Sequence, residues 1–147
     1  MLKKRISSIV LAAIMILTFI PSSTFAANIK DEPFSFQVTV SNKSGTTKAR
    51  AKENTTSTYV HVKQTPGSVI NMDVQGFRPT SGSGTNYWVN ETIGGKVLLL
   101  KGEWRVKQTV YENGGRSARL RFERYATDGI VSGDWSPDSV GSAPHAN

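Results

Sequence analysis

Two histidines and no cysteine set the limits of the chemistry open to this chain. A nucleophilic triad needs a base beside a hydroxyl or thiol, and only His61 and His145 offer one. His145 stands two residues from the C-terminus, and His61 sits mid-strand among polar neighbours. The Gly-X-Ser-X-Gly elbow that would present a serine is missing. Glycoside hydrolysis needs two carboxylates that meet in space, and nothing singles out two of the 11 acids. Asp128, Asp134 and Asp138 form one local carboxylate cluster in a Gly- and Ser-rich stretch. Their spacing fits no EF-hand, and such stretches are ordinarily solvated turns. The expectation is a non-enzymatic protein with no catalytic residue, no metal and no cofactor.

The residues that stand out are basic. Lys48, Arg50 and Lys52 alternate in one segment, and Arg105, Lys107, Arg119 and Arg121 alternate in another, with Tyr111 and Tyr125 near its ends. Such ladders suit an anionic partner. Strands also need a polar outer face, and Lys or Arg there deters edge aggregation. Of the three tryptophans, Trp104 alternates in phase with Val106 and Val110 and reads as core. Trp135 lies in a polar turn region, where it either stacks on a ligand or folds back as a plug; burial is the expectation for so large an apolar ring.

The elements that must carry these residues are strands. Period-2 alternation broken by Gly, Pro and Asn recurs, and no window reads as an amphipathic helix. Phe34, Phe36, Val38 and Val40 alternate before the turn sequence Asn42-Lys43-Ser44-Gly45. A hairpin with Thr47–Lys52 then places Ala49 and Ala51 inward and Lys48, Arg50 and Lys52 outward. A second hairpin is expected over Thr58–Gln75 around Thr65-Pro66-Gly67, setting Val62 against Ile70. Residues 77–86 read as a flexible loop. Residues 86–93 and 96–101 flank a Gly94-Gly95 turn. A third hairpin, Trp104–Tyr125 around Asn113-Gly114-Gly115, would set Arg105 against Glu123, Lys107 against Arg121 and Thr109 against Arg119. About seven short strands predict an all-β fold, an antiparallel β-sandwich or small barrel.

Residues 1–26 read as a cleavable secretory signal peptide. Lys3, Lys4 and Arg5 precede an apolar run ending at Ile20, then Pro21 and the small-residue pattern Thr24-Phe25-Ala26, with cleavage before Ala27. The run is shorter than the ~20 residues of a usual bilayer crossing. Removing 26 of 147 residues leaves 121, a single domain. The expected organisation is a flexible arm at 27–33, one β domain at 34–140 and a disordered tail at 141–147. Export without cysteine fits a Gram-positive secretory route, where disulfide staples are not required. The sequons at Asn42, Asn54 and Asn90 are then simply polar loops. The mature chain keeps 15 basic against 11 acidic side chains, near +4. That mild excess favours anionic surfaces and predicts no specific nucleic-acid partner.

As a whole, the N-terminal signal, the Phe34-Ser35-Phe36 strand, the Val106-to-Leu120 segment and Gly133-Asp134-Trp135-Ser136-Pro137-Asp138 resemble a family of small secreted all-β proteins of Gram-positive bacteria with no assigned function. The resemblance implies export and a β fold over nearly all of the mature chain and implies no catalytic residues. Lactococcin-type bacteriocins differ, being shorter and without the terminal motif.

The leading expectation is a secreted binding protein that meets an anionic wall polymer or membrane surface through a basic strand face. A secreted antimicrobial or toxin-like protein acting on membranes is the second, and a small secreted hydrolase the third. Oligomeric state is left open by the sequence.

Overall fold

The computed structural model describes residues 27–80, 82 and 84–147, so the expected signal peptide lies outside the described residues. These residues form ten strands and no helix. In chain order they are β1 (Glu32–Val38), β2 (Ser44–Thr46), β3 (Arg50–Ala51), β4 (Thr58–Gln64) and β5 (Ile70–Pro79). Then follow β6 (Asn86–Asn90), β7 (Val97–Leu99), β8 (Gly102–Val106), β9 (Ser117–Glu123) and β10 (Gly129–Ser136). One antiparallel sheet has the order β1-β10-β4-β8. The other has six strands: β9 pairs β2 and β3 on one side and β5 on the other, and β5 also pairs β6 and β7.

The all-β expectation holds, with ten strands in place of about seven. The core is the layer where both sheets turn their apolar phases inward. Val60 and Val62 of β4, Val131 and Trp135 of β10, Met72 and Val74 of β5 and Leu120 and Phe122 of β9 are all essentially inaccessible. Phe34 stacks on Phe122 at 4.6 Å, tying β1 of one sheet to β9 of the other. Trp135 is 1 % exposed, so its ring is core and not a ligand platform.

The expected hairpins are corrected. The segments joined by the 42–45, 65–67 and 113–115 turns lie in opposite sheets, so each connection crosses the sandwich. β1 pairs β10, and the Ser44–Thr46 and Arg50–Ala51 segments pair β9. β4 pairs β10 and β8, and β5 pairs β9. Lys107 therefore does not face Arg121, nor Arg105 Glu123, nor Thr109 Arg119. Residues 86–90 and 97–99 do not pair with each other; both lie along β5. The stretch read as a loop from 77 contains the end of β5, whose register with β6 sets Phe77 against Trp88.

Both ends of the domain are tied down. Asn28 donates its backbone N–H to Asp138 at 2.8 Å. Residues 143–147 run beside β8: Arg105 N–H donates to the Pro144 carbonyl at 2.8 Å, and Ala146 N–H to the Arg105 carbonyl at 2.9 Å. Asn147 accepts from Lys107 N–H at 2.8 Å and donates to the Ile93 carbonyl at 2.7 Å. The segment expected as a disordered tail covers the edge that β8 would otherwise expose.

Candidate functional site

The basic residues fall into three environments. Arg50 and Lys52 point inward. Arg50 pairs in register with the buried Ala118 and is itself buried, while its neighbour Ala51 is exposed. Its guanidinium donates to the carbonyls of Trp135 and Lys30 at 2.8 and 2.6 Å and to Asn28 at 3.0 Å. Lys52 pairs with the buried Asp138. These two hold strand ends together from inside. Lys48 is exposed beside a cleft of about 370 Å³ between β1 and the 46–48 segment, with Phe34 and Phe36 also in its lining.

The second environment is β8 and its extension. Arg105 spends its Nε on the Ala143 carbonyl at 2.6 Å, and Lys107 is exposed. This is the sheet opposite to that of Arg119 and Arg121.

The third environment is the outer face of the six-stranded sheet, which does bring charged and aromatic groups together. Alternate burial along β9 turns Ala118, Leu120 and Phe122 inward and Arg119, Arg121 and Glu123 outward. The β5 register then sets Gln75 opposite Arg119, Asp73 opposite Arg121 and Asn71 opposite Glu123. Arg121 donates to Asp73 at 2.8 Å and lies 3.9 Å from Glu123. Glu123 also receives Lys96 at 2.8 Å. Asp73 is fully buried, and its Oδ2 accepts no hydrogen bond from the described residues.

Arg119 differs from its neighbour. Its Nε donates to the neutral Gln75 at 2.8 Å, and its guanidinium lies 4.2 Å from the centroid of the Trp88 ring. Trp88 in turn packs against the part-exposed Phe77 at 5.1 Å. Among the described residues no carboxylate forms an ion pair with Arg119. Burial, and then the like charge of Arg121, push its pKa down. Asp73 on β5 pulls the other way, and a guanidinium stays protonated regardless. The meeting of Trp88 with Arg119 runs across β5, beyond any local pattern in the sequence.

The acids do not gather. Asp128 pairs with Arg124 at 2.5 Å, Asp134 with Lys63 and Asp138 with Lys52. The 128–138 carboxylates therefore each neutralise a separate cation. Among the described residues no group of three or more His, Asp or Glu side chains is placed to hold a metal ion. Glu91 is likewise committed, accepting from Arg78, from Thr109 at 2.9 Å and from Asn113 at 2.6 Å.

No curated protein and no solved structure matches the chain significantly. Residues 22–139, most of the chain, match the family described as "Protein of unknown function (DUF2712)", and the chain belongs to that family.

Proposed function

We propose that this is an exported, non-enzymatic binding protein that engages a phosphate-rich anionic polymer of the cell envelope through the outer face of its six-stranded sheet. Export is supported by the basic n-region, apolar run and Ala26 pattern. The observation that carries the binding reading is Arg119, held on Trp88 and Gln75 without a paired carboxylate, two residues from Arg121 on the same face. A guanidinium presents a fork of donors matched to phosphate oxygens. Stacking on an indole restricts its side chain before any ligand arrives, so less ordering is required on binding. Arg121 shares its charge with Asp73 and Glu123 and serves as a weaker second contact.

Of the basic residues expected on an anionic face, this reading keeps Arg119 and Arg121. Arg50 and Lys52 are consumed by internal partners. Lys48, Arg105 and Lys107 contribute to the overall field and not to a shared contact.

The test is co-sedimentation of the 27–147 protein with cell walls before and after removal of teichoic acid, over a salt series. Binding that needs the polymer, fades with salt and drops several-fold in Arg119→Gln supports the proposal. Binding that is unchanged in Arg119→Gln refutes this face. Binding to anionic vesicles but not to walls would move the partner to the membrane.

A further inference from the structure

Lys52 and Asp138 form the most enclosed charged pair among the described residues. Both side chains are 0 % exposed, and the ammonium nitrogen contacts Asp138 Oδ1. The other carboxylate oxygen, Oδ2, accepts two backbone N–H groups, from Asn28 at 2.8 Å and from Glu53 at 3.1 Å. Lys52 also donates to the Thr56 carbonyl at 2.6 Å, which fixes the nitrogen against the carboxylate. A full positive and a full negative charge in a dry interior carry a large desolvation cost. A neutral, hydrogen-bonded amide in the same place costs far less to bury.

The arrangement supplies what acyl transfer to an amine needs. Two backbone N–H groups on one oxygen stabilise negative charge that develops there when the carboxyl carbon becomes tetrahedral. Burial pushes the Lys52 pKa down, against the pull of Asp138, and so favours the nucleophilic neutral amine. Contact between the reacting groups removes the entropic cost of bringing them together, and exclusion of water opposes hydrolysis of the product.

We propose that Lys52 and Asp138 condense into an intramolecular isopeptide bond. A proton passes from the Lys52 ammonium to Asp138 Oδ1. The freed nitrogen lone pair adds to Cγ while Oδ2, held by the Asn28 and Glu53 N–H groups, takes the negative charge. A second nitrogen proton goes to Oδ1, the Cγ–Oδ1 bond breaks, and one water leaves. The product is a neutral amide with one N–H, and no oxidant, cofactor or external acyl donor enters. The link would join residues 86 positions apart, fastening the segment after β3 to the end of β10. Closing so long a loop restricts the unfolded chain as a distant disulfide does, in a chain that has no cysteine.

Intact mass of the purified wild-type protein, with its N-terminus read from the same sample, tests this directly. The expected result is a mass one water below that of the sequence, with a branched proteolytic peptide joining Lys52 to Asp138. Lys52→Arg should restore the full mass, and Asp138→Asn should give the same linked product with loss of ammonia. Should these variants fail to fold, the wild-type spectrum and its branched peptide still decide. A full mass after prolonged incubation of the folded protein at neutral pH overturns the proposal. So does a one-water deficit that maps to any other residue.

Discussion

Gly133 is the position where the fold leaves least room. A Cβ built there would lie 1.9 Å from the His61 carbonyl oxygen and 3.0 Å from both the His61 carbonyl carbon and the Phe34 ring. β10 is an inner strand, between β1 and β4, so Gly133 cannot retreat from β4 without pushing on β1. Relieving the contact moves the strands apart by roughly 1 Å, enough to take a ladder hydrogen bond out of range. The pairs at risk are Gly133 with Val62, Asp134 with His61 and Trp135 with Val60. Losing two ladder bonds at about 0.5–1.5 kcal/mol each, with about 1–3 kcal/mol of overpacking, predicts that Gly133→Ala destabilises by about 2–6 kcal/mol. That is a large part of the ~5–15 kcal/mol typical of a folded domain. Urea unfolding followed by tryptophan fluorescence measures it, with Gly141→Ala as the control, since a Cβ there meets nothing within 4 Å. If Gly133→Ala unfolds within about 0.5 kcal/mol of wild type, as an ordinary surface change does, β10 does not pack this closely on β4.

Leu120→Ala empties the centre of β9, where the side chain is fully buried; it should cost about 2–5 kcal/mol in the same urea assay. Ending the chain at Gly141 removes the hydrogen bonds that residues 143–147 make to Ile93, Arg105 and Lys107 and, at the low end of about 0.5–1.5 kcal/mol for each such exposed bond, should cost about 2–3 kcal/mol. The freed edge of β8 should also show as concentration-dependent self-association in sedimentation. Lys96, and secondarily Arg121, hold the Glu123 carboxyl below its ordinary 4.5 despite some opposing desolvation. A depressed folded value means that this stabilisation is present above the unfolded value and is lost as pH falls through the folded one. Lys96→Met should therefore destabilise at pH 7, by less than about 1 kcal/mol for so exposed a pair, and make no difference near pH 2. Unfolding curves at the two pH values check the sign.

Alternation in the sequence locates most of the strands and says which side chains face inward, but not which strands pair. Val62 and Ile70 both face the core whether they sit opposite each other in a hairpin or in two sheets facing across it. A turn such as Thr65-Pro66-Gly67 serves either arrangement. The error at Arg50 and Lys52 has a different cause. Pattern alone assigns charged side chains to the outside and Ala51 to the inside, because isolated charges are expensive to bury. Here the partners that make burial possible, Asp138 and the Trp135 carbonyl, lie more than eighty positions away. The same distance problem hid the candidate face. Arg119 and Arg121 are visible as an alternating pair, but Trp88 reaches Arg119 only because β5 lies between β6 and β9. The 143–147 segment looks disordered by composition, and its order comes from the unpaired edge of β8.

The most direct measurement is the salt-dependent affinity of wild type, Arg119→Gln and Trp88→Ala for teichoic-acid-bearing walls. Both side chains are part-exposed on the sheet's outer face, so each variant should keep the wild-type fold. Binding through this face means that Arg119→Gln weakens affinity several-fold and flattens the salt dependence. Trp88→Ala, which leaves the charge but removes the ring beneath it, should weaken binding with the salt dependence kept. Wild-type affinity in both folded variants would contradict binding through this face.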